Sequence, residues 1–513
     1  MTLLANDLSQ REQLGRQIST TLLPGFVGTT LPDWLAARLR DGLGGVCIFG
    51  MNIESIPQLR ALTDAIREAN PHAIIAIDEE GGDVTRLYYD IGSPYPGAAV
   101  LGREDDTTHT ENIGRLVGWE LRRAGCNLNF APSIDINSNA NNPVIGVRSF
   151  GTTPELVAAH ASAWIRGHQQ TGVAVSAKHF PGHGDTAVDS HLSLPVIDRS
   201  PAQLHERELV PFRAAVASGS RTIMTSHILL PQVDSENPAT FSSKILQGLL
   251  REELGFDGVI VTDALDMKGA SGVHGIAEAA VRALIAGCDL LCIGSKNTDA
   301  QMGEIEAAIF AAIEAGRLST ERIAEAAERV VRLAEESFEL EARIAVPDAV
   351  DAASDPTLAV DRVISTFDVS DAAKRWFEAG SHAQTVVRID TVANIAVGIA
   401  PWGPFAEIAE HPDAAIDLAW LEQNVRPISE EQHELPTLSG PVVVVGKDNH
   451  RHEFARSVID GLRAQNPEVL VVDMGWPSDD HAYADVATFG ASRLLGRALL
   501  AQLDAAVSGE TKA

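Results

Sequence analysis

Short apolar runs rich in Val, Ile, Leu and Ala alternate along the first two-thirds of the chain with longer stretches in which apolar residues return every three or four positions. The runs fall at 22–27, 46–49, 73–77, 128–131, 173–177, 222–225, 259–262 and 290–293. They are apolar at consecutive positions rather than at every second one. That is the pattern of a strand whose sheet is covered on both faces, as parallel sheets are. The stretches at 56–69, 110–124, 154–171 and 277–286 carry the period of an amphipathic helix. Eight strand–helix units within roughly 300 residues predict a closed (β/α)8 TIM-type barrel of the α/β class. An open doubly wound sheet is the alternative, and the number of repeats favours closure.

Residues 301–340 read as helices, and 345–355, with Val346-Pro347-Asp348 and several alanines, as a linker. A second strand–helix pattern follows. Residues 385–389, 394–399, 442–445 and 469–472 are strand-like, and 454–464 and 492–503 are helix-like. The expected division is a barrel domain over residues 1–345 followed by a smaller three-layer αβα domain over 346–513.

Composition narrows the class. A chain of 513 residues exceeds one typical domain. With 70 acidic against 40 basic residues the formal charge is −30. Such a chain repels a phosphate backbone, so no nucleic-acid partner is expected. Residues 1–16 hold no basic stretch followed by an apolar one, so no export signal is expected. No run of about 18 uncharged apolar residues occurs, so no membrane span is expected either. Cys47, Cys126, Cys288 and Cys292 form no Cys-x-x-Cys pair, and three of them sit in apolar runs. They read as buried free thiols in a reducing compartment, and the expected location is cytoplasmic. Composition is silent on oligomeric state.

Candidate chemistry gathers after the fifth apolar run. Lys178-His179-Phe180-Pro181-Gly182-His183-Gly184-Asp185-Thr186 leads on to Asp189-Ser190-His191 and Leu194-Pro195. Pro181, Gly182 and Gly184 disfavour a continuous helix there. In a barrel, the strand ends and the loops after them line one face. Asp78 after the third run, Lys178 and His179 at the fifth, His227 after the sixth and Asp263 after the seventh would share that face. Polar groups brought together from separate parts of the chain are what an enzyme needs and a purely structural barrel does not. Taken alone, Asp263 also reads as a helix N-cap, Asp189 as a turn cap and Arg86 as half of a surface ion pair.

The 178–191 stretch and a second motif, Gly258-Val259-Ile260-Val261-Thr262-Asp263-Ala264-Leu265-Asp266-Met267, resemble the signatures of bacterial β-N-acetylhexosaminidases of glycoside hydrolase family 3, over about residues 20–340. The resemblance implies a retaining exo-glycosidase that releases terminal β-linked N-acetylglucosamine from cell-wall (muropeptide) or chitin fragments. Asp263 takes the nucleophile position and would form a covalent glycosyl–enzyme intermediate; Asp266 is the weaker candidate. His191, paired with Asp189, takes the place of the usual second carboxylate as general acid/base. Residues i and i+2 of an extended segment point the same way, and a carboxylate beside an imidazole fixes its tautomer. Ile77-Asp78-Glu79-Glu80-Gly81-Gly82 with Arg86, and Val144-Ile145-Gly146-Val147-Arg148-Ser149-Phe150-Gly151, resemble segments that grip the sugar, completed by Lys178 and His179. Asp83 stands where the family pattern often has a basic residue. His227 fits the pocket without an assigned role.

No cofactor and no metal are expected. His179 and His183 have the four-residue spacing of helical zinc ligands, which would make a metallohydrolase. Pro181 and Gly182 between them disrupt the helix that this spacing needs. A sugar-binding protein without turnover is a third reading, set against by Asp263 together with the Asp189–His191 pair. Phosphate is an alternative acceptor to water, because a neutral His191 would not repel it as a carboxylate base would. A phosphorylase therefore stands beside the hydrolase.

Overall fold

The structure is a computed structural model that describes residues 2–186, 194–272, 274–347, 358–379, 385–392, 394–410, 424–431, 435, 436, 438 and 440–508. The chain divides into two compact units. One comprises Met1–Glu79, Thr107–Ile136 and Thr152–Val350, the other Glu80–Asp106, Asn137–Gly151 and Asp351–Ala513.

The first unit is built on eight parallel strands: β1 (Leu22–Pro24), β2 (Gly45–Ile48), β3 (Ile74–Ile77), β4 (Leu128–Asn129), β5 (Ala174–Phe180), β6 (Thr222–Thr225), β7 (Val259–Val261) and β8 (Leu291–Gly294). Strands β2 to β7 lie side by side in chain order. A bridge from Val261 to Leu290 ties β7 to β8, and β8 pairs with β1. Between β1 and β2, Gly44 N–H donates to Ser19 C=O at 3.2 Å. A Cβ at Gly44 would sit 2.1 Å from the Thr20 carbonyl oxygen, so only glycine lets the chain close there. The order is that of a (β/α)8 barrel, with every strand at the expected place in the chain. Each strand sends a side chain into one shared core: Leu23, Cys47, Ala76, Leu128, Ala174, Met224, Val261 and Cys292. Full burial of a leucine, valine or methionine side chain is worth about 1.5–3 kcal/mol. The helices bury a matching stripe; Ile56–Ala69 turns Leu59, Leu62, Thr63 and Ile66 inward at three- and four-residue intervals. All four cysteines are free and buried, and burial pushes the Cys126 thiol up to about 12.

The second unit carries a six-stranded sheet: β9 (Asp368–Val369), β10 (Thr385–Asp390), β11 (Val425–Ser429), β12 (Val442–Gly446), β13 (Val469–Asp473) and β14 (Val486–Ala487). The order is β11-β10-β12-β13-β14-β9, parallel except for the last pair. Helix Glu453–Gln465 lays Ala455, Val458, Ile459 and Leu462 on Val387, Val442, Val444 and Val471. Residues 394–399, expected as a strand, form a turn instead. The amides of Val397 and Gly398 both donate to the Asn394 carbonyl, Gly398 has φ +80°, and Ile399 is 84% exposed. Strand β11 went unrecognised because Pro427 interrupts it, which an edge strand tolerates. Arg103 packs 3.8 Å over the Phe489 ring and pairs with Asp368, while Arg362 pairs with Glu104 and Asp106. These contacts bind segment 80–106 into the unit. Asp83 accepts the Ala491 N–H at 2.7 Å. Burial pushes its carboxyl above the ordinary range, against the pull of Lys447.

Candidate active site

In the first unit, the polar groups sit at the carboxyl ends of the strands. Strand β5 irregularly pairs with β6 between Ala177 and Phe180, where Lys178 and His179 stand. Lys178 Nζ donates to Asp78 Oδ1, beyond β3, at 2.6 Å, and both side chains are largely buried. An ammonium donates and a carboxylate accepts, the two kinds of partner that sugar hydroxyls pair with.

His179 meets Asp135, a residue absent from the expected set. His179 Nδ1 lies 2.6 Å from Asp135 Oδ2, and Asp135 Oδ1 accepts the backbone N–H of His179 at 3.3 Å and of His183 at 2.6 Å. Burial alone would raise the Asp135 carboxyl, but the nearby His179 imidazole and these hydrogen bonds hold it below the usual carboxylate range. The ionised Asp135 accepts from Nδ1–H, which directs Nε2 of His179 away from it. His183 Nδ1 contacts Thr186 Oγ1 at 2.9 Å. Burial, then the neighbouring His179, pushes the His183 imidazole down to about 4. Gly184 permits this loop: a Cβ there would fall 1.6 Å from the Ile136 carbonyl oxygen.

Asp263 follows β7 and is half-buried. Its Oδ1 accepts the N–H of Ala264 at 2.8 Å. The next helix, Lys268–Ser271, has Met267 at its N-cap, so Asp263 is not a helix cap. Asp266 is exposed and accepts the Ser295 N–H at 3.3 Å. His227 is fully buried beyond β6.

The second unit holds the two candidate arginines. Arg148, on the turn Gly146–Arg148, grips Glu80 with two parallel bonds, Nε to Oε2 at 3.0 Å and Nη2 to Oε1 at 2.7 Å. Its Nη1 donates to the Val144 carbonyl at 3.1 Å. Bidentate pairing of this kind fixes the guanidinium plane. Arg86 donates to the carbonyls of Ala396 at 2.9 Å and Thr85 at 3.3 Å. Asp189 and His191 lie outside the described residues.

His179 ends a strand and His183 lies in the following loop, so the two are not neighbours on a helix. Their rings meet edge to face at 5.9 Å. Among the described residues, no group of three His, Cys, Asp or Glu side chains is placed to hold a metal ion. Also among them, no helix is long and apolar enough to cross a membrane. Asp135 is the residue beside His179 that pattern reading missed. The usable signal for Asp135 is that, among the third to seventh strands, only the fourth has no candidate residue at its end.

A parallel (β/α)8 ring with an aspartate, a lysine–aspartate pair and a carboxylate-held histidine at its strand ends is the architecture of a barrel glycosidase. Residues 30–333 match the N-terminal domain of glycosyl hydrolase family 3, and the chain belongs to that family. The β-hexosaminidase A of Pseudoalteromonas piscicida is 35% identical over 331 residues, covering 60% of this chain and 55% of that protein. The match thus spans little more than half of that relative. The β-hexosaminidase of Chromobacterium violaceum is 40% identical over 290 residues, 55% of this chain and 80% of that one. Among solved structures, a glycoside hydrolase family 3 β-N-acetylglucosaminidase from a Paenibacillus species superposes with a TM-score of 0.80 at 30% identity, covering 97% of each chain.

Proposed function

We propose that the protein is a retaining exo-β-N-acetylglucosaminidase. The observation that carries this reading is the placement of Asp263 at the end of β7, with one oxygen held by the following amide, in a barrel of this family. Oδ2 of Asp263 attacks the anomeric carbon while the bond to the leaving oxygen breaks, and the sugar becomes an ester of Asp263. His191, with Asp189 as the dyad partner that the family resemblance implies, gives its proton to the leaving oxygen and then takes one from the water that hydrolyses the ester. Asp78, Lys178 and His179 bind the sugar at the strand ends of the first unit. Asp135 keeps His179 in one tautomer. The names of the relatives support the N-acetylhexosamine preference. The substrates are terminal N-acetylglucosaminides of cell-wall or chitin fragments, handled in the cytoplasm without a metal or cofactor.

The test is a panel of nitrophenyl β-glycosides run with and without millimolar phosphate. Release from the N-acetylglucosaminide well above the glucoside, at a rate indifferent to phosphate and with retained anomeric configuration, is the expected result. N-acetylglucosamine 1-phosphate as the product would replace hydrolysis by phosphorolysis. Equal rates on the glucoside, or an inverted product, would sink the reading.

A further inference from the structure

His227 is locked on three sides. Its Nδ1 lies 2.9 Å from Thr240 Oγ1, its Nε2 lies 3.1 Å from the Ala264 carbonyl oxygen, and its ring stacks at 24° on Phe241 with centroids 6.3 Å apart. Thr240 and Phe241 belong to one short turn, Ala239–Phe241. Thr240 Oγ1 is itself anchored, 2.9 Å from the Ser226 carbonyl and 2.8 Å from Thr225 Oγ1. Arg282 lies 4.7 Å over the Phe241 ring and donates to Asn237. The imidazole is therefore held by the turn behind it and presents Nε2 to the segment after β7.

A carbonyl oxygen only accepts, so the nitrogen facing Ala264 carries the proton. Ala264 is then gripped from both ends. Its C=O takes the Nε2–H of His227, and its N–H goes to Oδ1 of Asp263. We propose that His227 is a positioning residue for Asp263: through Ala264 it fixes the amide that holds Oδ1 and so presents Oδ2 to the anomeric carbon. This rests on the reading of Asp263 as the nucleophile. The attacking oxygen must stand within about 3–3.5 Å of its target, and a misplacement of about 1 Å costs on the order of 10²-fold. The same amide acts again in the second half-reaction. In the glycosyl ester, Oδ1 is the carbonyl oxygen, and the charge that returns to it as water displaces the sugar meets a donor already in place. A histidine that merely satisfied buried polar groups would affect folding and every property of the pocket together.

The test compares His227→Ala and His227→Gln, because the glutamine amide reaches where Nε2 stands. His227→Ala should lower kcat about 10²-fold while the inhibition constant of N-acetylglucosamine stays within about threefold. His227→Gln should recover at least about tenfold of the loss. A kcat for His227→Ala within about threefold of wild type overturns the proposal. So does a parallel loss of turnover and sugar affinity, or a glutamine variant no better than alanine. Should His227→Ala fail to fold, nitrogen-15 NMR of the wild-type histidines decides the geometry: a proton on Nε2 supports the Ala264 contact, and a bare Nε2 removes it. Wild-type protein that leaves the aryl N-acetylglucosaminide intact defeats the activity reading alone, since the NMR measurement still judges the His227–Ala264 bond.

Discussion

Asp135, in the loop after β4, and Asp473, at the end of β13, are both buried aspartates that gather backbone N–H groups from the chain around them. Asp135 accepts the amides of His179 and His183. Asp473 accepts those of Asp448 at 2.7 Å, Gly475 at 2.8 Å and Asn449 at 3.1 Å. Their electrostatics run in opposite directions. Asp135 also faces an imidazole and is held below the ordinary carboxylate range. Asp473 is raised to about 7, first by burial and then by the like charge of Asp448. The difference lies in the partner, not in the fold. A buried carboxylate that also hydrogen-bonds an imidazole stays ionised and orders that ring; one with only amides and another carboxylate around it is a pin for its loops.

Asparagine substitution at three aspartates ranks these roles. The largest effect falls on Asp263, where an amide cannot serve as nucleophile. Asp263→Asn should retain its melting temperature while turnover drops below about one part in 10³. Near-normal activity there removes the barrel face as the seat of chemistry. Asp135→Asn keeps a hydrogen-bond acceptor and loses the charge, which is worth on the order of 1–3 kcal/mol. A fall in kcat/KM of about 10- to 100-fold is expected. Asp473→Asn should leave kcat/KM within about threefold. If Asp473→Asn costs as much activity as Asp135→Asn, the contrast between the two sheets is wrong.

The barrel was legible because its strands are unbroken apolar runs, a signal that depends only on burial from both faces. Asp78, Lys178, His179 and Asp263 were legible for a related reason, since each ends or directly follows such a run. Asp135 was not. Strand β4 is two residues long, and Asp135 lies six residues beyond its end, so no local period points to it. The Arg148–Glu80 pair spans 68 residues and joins two loops, a contact that pattern reading has no means to see. In the second sheet, β9 and β14 are two residues each, too short for any periodicity to register.

The pH dependence of stability should differ in sign between the two regions. The folded His183 titrates at about 4, below the ordinary histidine value of 6.5. As pH falls below 6.5 the unfolded chain takes up a proton that the folded barrel refuses. Stability is therefore lost between pH 6.5 and 4, by up to about 3 kcal/mol. His168, pushed down to about 3 by burial, acts in the same direction. Asp473 is the reverse case. Its folded value near 7 exceeds the ordinary 3.8, so between these values the folded sheet keeps a proton that the unfolded chain has released, and its contribution fades as pH rises toward 7. His450 and His452, both lowered by burial, oppose it within the same unit. The measurement is therefore a difference. Amide exchange at pH 5 and 7, corrected for intrinsic rates, is compared between wild type and two variants. His183→Gln should gain protection over wild type in Ala174–Phe180 at pH 5 and little at pH 7. Asp473→Asn should lose protection in Val442–Gly446 and Val469–Asp473 at pH 5 more than at pH 7. If both variants shift the same way with pH, the opposite electrostatics of the two strand ends do not hold.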